Sequence, residues 1–379
     1  MKICFVAPRL HTNQHAWIDT LTLHGHDVAF IVTNEGRDNQ HHKNFQPRVI
    51  ASKRLSWLPR QMIYLILNLF RITVRETFYS RPQFRDVYSQ IKLINPDIVI
   101  VRDVAQILSL QTFLTTKLLG IETILYSQHP LEKKLKLHIR FFQILKLVPK
   151  KHITPVRNNP HQVYNKQSNS YYVPLFTPFT PNIHNRKARC SKKINIIFVG
   201  KFSLIRKNHL LMLRAFKNIL QSCEAHLTMV GTVNTENPQK IYNDVNDYII
   251  SNNLSNNVDI KTNLPYEEMV EEYRKNDILA LPSINEPFSI TPIEAMSFGL
   301  PVIVSESNGT KGCIINGENG FIIADNNQAE LEKSLLFFTK KKELGSFREK
   351  AYSYIKSQHS SKKFYNHFIS AIQKIKYDS

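Results

Sequence analysis

Short β-rich apolar runs alternate with longer segments of helical period in this chain, and the alternation occurs twice. In the N-terminal half the apolar runs are Ile3–Ala7, Val28–Thr33, Ile98–Val101 and Thr123–Tyr126, with helical periodicity between them, as in Ala105–Leu119. Strands separated by helices pair in parallel through crossovers. Residues 174 to 192 then change character. Pro174, Pro178 and Pro181 forbid a helix, favour an extended connection, and lead into Asn185-Arg186-Lys187-Ala188-Arg189. The alternation restarts with Ile194–Val199, a helix from Arg206 to Gln221, His226–Val230, a helix at Gln239–Ser251 and Val258–Ile260. It continues with a helix at Tyr266–Lys275, Ile278–Leu281, a helix at Ile293–Phe298 and Val302–Val304. The expectation is an α/β protein with two Rossmann-like doubly wound domains facing a cleft. The domains span 1–180 and 193–356, joined by a linker at 181–192, and a C-terminal helix at about 357–379 is free to pack back on the first domain. In such sheets ligands lie beyond the carboxyl ends of the strands, which points to the cleft.

A chain of 379 residues exceeds one ordinary core, in keeping with two domains. The four cysteines, Cys4, Cys190, Cys223 and Cys313, form no CxxC pair, which argues against a zinc site and a secreted disulfide framework. A strand-like run begins at Lys2 and leaves no room for a signal peptide's basic head and apolar core. The longest apolar candidate for a spanning helix, Met62–Val74, is interrupted by Asn68 and Arg71. A cytoplasmic location is expected, with peripheral attachment to the inner face of a membrane as an option.

That option comes from charge. The formal net charge is +20, and Lys+Arg against Asp+Glu is 24 to 10 over residues 1–185 but 26 to 20 over 186–379, so +14 lies in the first half. Such an excess suits nucleic acid, an acidic membrane face or an anionic substrate, or is simply a solvated basic surface. Leu131–Lys151 and Arg60–Arg75 interleave apolar and basic residues at near-helical spacing. Helices of that kind lie in the headgroup region of anionic leaflets, or pack an apolar face on a sheet. No nucleic-acid motif accompanies the charge, so nucleic acid is not an expected partner.

The most informative stretch runs from Asn285 to Ile303, NEPFSITPIEAMSFGLPVI, between two apolar strands. Pro292 suits a first helical turn and Gly299-Leu300-Pro301 a helix stop. A short helix therefore starts near Ser289–Thr291, with Glu286 in the loop before it and Glu294 on it. Free N–H groups at a helix start attract phosphate, and a carboxylate accepts hydrogen bonds from vicinal hydroxyls. The second stretch is Phe198-Val199-Gly200-Lys201-Phe202 followed by Arg206-Lys207-Asn208-His209. A strand ending in glycine lets the backbone approach a ligand, and fixed cations stabilise a departing diphosphate.

Two glutamates eight apart in the frame EPFSITPIEAMSFGLPVI resemble the E-x7-E signature of retaining glycosyltransferases of family 4, which have the GT-B fold. The strand–glycine–basic loop is similar to the one with which that family clamps a donor diphosphate, and the likeness is good over most of 190–340 and weak before it. It implies a donor site made of Gly200, Lys201, Arg206, Lys207, Asn263, Phe288, Ser289, Ile290, Thr291 and Glu294. Glu294 would hold the ribose, Glu286 the donor sugar, and Lys201 and Lys207 the diphosphate, with Arg206 as a neighbouring substitute. Asn263 enters by position beside the nucleobase. His129, at the end of the strand Thr123–Gln128, would line the donor sugar, and Glu286, His129 and Lys207 are the expected catalytic residues. Two departures stand out. Lysine at 201 replaces a more usual arginine and loses its bidentate fork, and the loop Arg9–His15 lacks a glycine pair.

The implied activity is transfer of a sugar, with retention, from a nucleotide-diphosphate-sugar to a glycan or lipid-linked saccharide in cell-envelope polysaccharide or lipopolysaccharide biosynthesis. With no Asp-x-Asp and no clustered ligands, neither a metal nor a cofactor is expected. Two other readings stay open: a sugar-nucleotide epimerase or hydrolase, and an inactive basic binding protein at a membrane.

Overall fold

The computed structural model describes residues 1–10, 12–34, 45–54, 80–102, 106–128, 130–131, 143, 148–158, 161–167, 169–179, 181, 193–233, 240–340 and 343–377. All of the expected linker at 181–192 except Pro181, the segment 60–75, most of 131–151 and His129 lie outside the described residues. Two compact units emerge, one comprising Met1–Pro155, His161–Pro174 and Phe364–Ser379, the other Val156–Pro160 and Leu175–Lys363.

In the first unit, β1 (Lys2–Val6), α1 (Thr12–Leu23), β2 (Asp27–Val32) and β3 (Arg48–Val49) precede an antiparallel ribbon of β4 (Ser52–Arg54) and β5 (Ser80–Pro82). Then come α2 (Phe84–Ile94), β6 (Ile98–Arg102), α3 (Ile107–Leu119), β7 (Glu122–Tyr126), β8 (His152–Thr154), β9 (Tyr164–Asn165) and β10 (Ser170–Tyr172). The sheet order is β3-β2-β1-β6-β7-β8-β10-β9, parallel except for the β9/β10 pair at its edge. Cys4, Val6, Val99, Val101 and Leu125 form one core with Val87, Ile91 and Ile94 of α2.

The second unit contains β11 (Ile194–Val199), α4 (His209–Ile219), β12 (Ala225–Gly231), α5 (Lys240–Ser251), β13 (Val258–Thr262), α6 (Tyr266–Lys275) and β14 (Ile278–Leu281). It continues with α7 (Thr291–Ser297), β15 (Val302–Ser305), β16 (Gly320–Ile323), α8 (Gln328–Thr339) and α9 (Leu344–Gln358). The last helix, α10 (Ser361–Tyr377), places residues from Phe364 onward in the first unit, where Phe364 stacks on Trp17 at 5.0 Å. Sheet order here is β13-β12-β11-β14-β15-β16, all parallel. β14 and β15 read as unbroken apolar runs because helices cover both faces of such a sheet and every residue is buried.

Within the described residues the expected strands and helices of the second unit are found, with local differences, two of which concern the site. The helix expected from Arg206 begins only at His209, because Ile205–Lys207 forms a 3₁₀ turn that ends on Asn208 in the left-handed region (φ 62°). The helix expected from Ile293 starts two residues earlier, with Pro292 in its first turn, where a missing N–H costs nothing. Its stop is a Schellman turn: Leu300 N–H donates to Ala295 O at 3.0 Å and Gly299 N–H to Met296 O at 2.9 Å, with Gly299 at φ 71°.

Candidate active site

Strand order explains why two motifs far apart in sequence meet. β11 and β14 are neighbours (Ile196↔Ile278, Ile197↔Leu279) at the point where the order of the second sheet reverses. Crossovers leave that point in opposite directions, so the loops after β11 and β14 splay apart above a crevice. Those loops are Gly200–Asn208 and Pro282–Ile290. Ile284 N–H donates to Arg206 O at 2.8 Å, and Asn208 Nδ2 donates to Pro282 O at 3.3 Å, which fastens one to the other.

Gly200 N–H donates to Val230 O at 2.8 Å, while its carbonyl lies 3.3 Å from His209 Nε2. That contact puts the ring proton on Nε2. Burial pushes the His209 pKa down to about 4, so the ring is neutral at pH 7. A Cβ on Gly200 would stand 2.9 Å from the Phe198 ring and 3.1 Å from Lys207 Cβ. Glycine is required here by the space that Phe198 and Lys207 fill.

Lysine at position 207 reads from sequence as a surface residue, yet it is only 7% exposed. Its Nζ lies 2.8 Å from Glu286 Oε2. Arg206 Nε lies 3.2 Å from the same oxygen and its Nη2 is 3.4 Å from Oε1. Two cations thus converge on one buried carboxylate and leave the cluster net positive. Lys201 is exposed on the same loop. Glu286 itself is held by its backbone, whose carbonyl accepts from Gly309 N–H at 2.8 Å.

Phe288, Ser289 and Thr291 are buried, and Ile290 is half-buried. The Thr310 hydroxyl donates to Ser289 O at 2.7 Å and accepts from Ser289 N–H at 3.1 Å. The backbone of Ser289 is thereby committed to the Gly309–Cys313 turn rather than to a ligand. The N–H groups of Ile290 and Thr291 precede the first helical bond, Glu294 N–H to Ile290 O at 3.0 Å.

Glu294 is buried on the helix, where Tyr273 Oη donates to Oε2 at 2.8 Å and Tyr266 Oη to Oε1 at 3.1 Å. Burial raises its pKa, the two tyrosine hydroxyls oppose the shift, and burial wins. A carboxylate offers roughly four acceptor positions, so the tyrosines leave capacity for a pair of ligand hydroxyls. Phe179 stacks on Tyr266 (4.8 Å between centroids) and Tyr273 on Phe298 (5.4 Å), so both phenols are fixed from behind. Asn263 is in the left-handed region (φ 55°), and its amide brackets Val233: Nδ2 to Val233 O and Val233 N–H to Oδ1, both 3.1 Å. Its side chain is therefore spent on the backbone.

Sequence reasoning missed Tyr266, Tyr273, Gly309 and Thr310. The tyrosines had a signal, since a spacing of seven puts them on one face of α6. Gly309 opens a segment, residues 309–320, whose sequence resembles the family's, but nothing local shows its contact with the glutamate loop, because only the tertiary structure brings that turn against it.

Removing the nearer phenol gives a pH-dependent result. Because the folded-state pKa of Glu294 is raised above its ordinary 4.5, its ionisation costs stability as pH rises through the interval between the two values. Tyr273→Phe removes a donor to the charged form and widens that interval. It should destabilise the protein by about 1–3 kcal/mol at pH 7, and by clearly less near pH 4, where the carboxyl is mostly neutral in both states. Denaturant titrations at both pH values measure this. Equal losses would mean that the hydroxyl does not serve the carboxylate.

Residues 179–358 match the family model described as Glycosyl transferases group 1. Over 162 residues the chain is 28% identical to the D-inositol 3-phosphate glycosyltransferase of Corynebacterium diphtheriae, covering 40% of this chain and 36% of that one. A second curated relative is likewise covered over 39% of its length, so the chain spans well under half of the relatives it matches. Among solved structures, a glycosyltransferase from Rickettsia africae superposes with a TM-score of 0.74 at 20% identity, over 100% of this chain and 99% of that one. A protein from Anabaena, HepE, solved with UDP and glucose, gives 0.70 at 13% identity over 99% and 100% of the two chains. The chain has the GT-B fold of two parallel-sheet α/β domains. The residues matched by the group 1 family model fall within the second unit, which carries the site.

Proposed function

We propose that the protein is a glycosyltransferase that moves a sugar from a nucleoside-diphosphate donor to a glycan or lipid-linked saccharide, with retention and without a metal ion. The observation that carries this reading is the net-positive Arg206–Lys207–Glu286 cluster at the switch point of the second sheet. Fixed cations there suit a leaving diphosphate in place of a metal. Lys207 and Arg206 would take up charge as the bond from the anomeric carbon to the diphosphate oxygen breaks, helped by exposed Lys201 and the N–H groups of Ile290 and Thr291. Glu286 would accept hydrogen bonds from the donor sugar and Glu294 from the ribose, in the acceptor positions its tyrosines leave open. The acceptor hydroxyl would attack from the face the diphosphate leaves, and His129 would line that sugar. Asn263, through its backbone, would border the base beside Gly200. Supporting the donor class is HepE, which was solved with UDP and glucose.

An envelope polysaccharide or lipopolysaccharide pathway belongs to the same proposal, with an anionic membrane surface as a partner of the basic N-terminal half. Among the described residues no helix is long and apolar enough to cross a membrane.

Thermal shift with UDP-, GDP- and dTDP-sugars identifies the donor, since binding to the folded state alone raises apparent stability. Glu294→Ala should weaken nucleotide binding by about 1.5–3 kcal/mol, the worth of hydrogen bonds to a charged acceptor. Glu286→Ala should depress turnover while the nucleoside diphosphate still binds. Transfer at the parental rate by both variants would refute the site, and activity abolished by chelator and restored by manganese would refute the metal-free mechanism. Donor turnover without any acceptor would point instead to an epimerase or hydrolase.

A further inference from the structure

A cavity lies in the first unit, and none of the expected donor-site residues lines it. Its floor is the β9/β10 hairpin at the edge of the sheet and its wall is one face of α10. The cavity has a volume of about 310 Å³, within the range of small-molecule sites and ample for a sugar ring. On the hairpin the Tyr164 and Tyr171 rings lie together, with centroids 4.6 Å apart and planes 31° apart, and Tyr164 is 36% exposed. From α10 come Asn366, His367, Ser370 and Lys374. Positions 366, 370 and 374 repeat every four residues and therefore form one stripe along the helix. All three are exposed. His367 Nδ1 donates to Tyr172 O at 3.3 Å, which orients the ring against the hairpin.

An aromatic face beside an amide, a hydroxyl and an ammonium matches the two sides of a sugar ring, with its C–H face on the phenol and its hydroxyls on the polar stripe. Among the described residues lining the cavity there is no carboxylate, while Lys374, from the second half of the sequence, brings a cation into the unit that holds most of residues 1–185, whose excess is +14. The charge selects an anionic sugar over a neutral one. We propose that this cavity binds a saccharide bearing a carboxylate or phosphate, as a holding site for a growing acceptor chain separate from the reaction centre. The choice of a saccharide rests on the glycosyltransferase reading above; the geometry and charge of the cavity do not.

The test is calorimetric titration of the full chain, without donor, using a hexameric oligogalacturonate and, as the neutral comparison, maltohexaose. Oligogalacturonate should bind at 150 mM salt and maltohexaose about tenfold or more weaker. Lys374→Gln should cost about ten- to a hundredfold in affinity, as expected for a charge-assisted bond. Tyr164→Ala, which leaves the charge untouched, should cost about tenfold. Asn366→Trp, an exposed helix position, should fill the cavity and abolish binding, with an unchanged melting temperature showing that the fold is intact. Equal affinity for the two oligosaccharides would overturn the charge argument. Oligogalacturonate binding that survives Tyr164→Ala and Asn366→Trp, and merely fades with salt, would reduce it to adhesion on a basic surface and overturn the site. Because no nucleotide is present, failure of the donor site would leave these isotherms unchanged, so the two readings fail separately.

Discussion

Lys207→Ala should lower turnover by about 10²–10³-fold, the usual loss when one fixed charge partner of a developing anion is removed. The physical case is its placement: a lysine only 7% exposed, 2.8 Å from Glu286 Oε2, on a loop whose neighbour Arg206 is bonded through its carbonyl to Ile284. An ammonium held in this way is oriented before the donor arrives, so no reorganisation is needed during the reaction. Arg206 keeps a guanidinium on Glu286 in the variant. The carboxylate is thus not stranded, and the stability cost should stay near about 1–3 kcal/mol rather than the larger cost of an unpaired buried charge. Lys207→Arg should keep the charge and the fold but misplace it, because a planar guanidinium cannot put a donor where the compact ammonium stands, 2.8 Å from Glu286 Oε2 in a buried position. A steady-state assay with the identified donor, paired with a thermal melt, separates the two effects. Parental turnover in Lys207→Ala would remove this residue from the mechanism.

Gly309→Ala should abolish turnover without touching any charged group. The space a Cβ would need at 309 is occupied by the Pro287 carbonyl, and Gly309 N–H donates to Glu286 O at 2.8 Å. Both neighbours are backbone, and neither can rotate aside as a flexible side chain can. The added methyl therefore displaces the Glu286–Pro287 peptide, and with it the carboxylate that Lys207 and Arg206 hold. Overpacking of this kind costs about 1–3 kcal/mol or more, and Angstrom-scale misplacement of a reacting group alone costs about 10²-fold in rate. Gly317→Ala is a useful contrast. Nothing stands within 4 Å of its Cβ, and its φ of 80° strains only a surface turn, so stability should fall slightly and turnover should persist. Equal turnover in Gly309→Ala and the parent would mean that the Glu286 loop does not depend on that contact.

The central strands of both sheets and the limits of several helices were legible from apolar period and breaker residues, whereas β3, β8, β9, β10 and β16 and the helices α1, α2, α8 and α9 were not. β11 and β14 lie where the runs Ile194–Val199 and Ile278–Leu281 put them, because strands of a parallel sheet covered on both faces must be apolar throughout. The short helix bearing Glu294 was legible from Pro292 at its start and Gly299 at its end, whose demands on φ are local. Asn208 was harder to read. Its left-handed φ cuts the basic turn off from α4, and the reason is tertiary: its amide reaches Pro282 and Asn326.

Sequence alone determined that this chain forms two α/β halves, a property of neighbouring residues set by backbone preference and periodic burial. That the glycine-ended strand with its basic residues and the glutamate-bearing loop serve one site was implied only by the family resemblance. What the side chains do to each other was decided by the tertiary structure. Reversal of strand order at β11 and β14 puts Lys207 and Arg206 on Glu286, and α6 brings two tyrosines onto Glu294. Charge and burial depend on distances across the fold, and residues about eighty positions apart acquire such distances only when the sheet has formed.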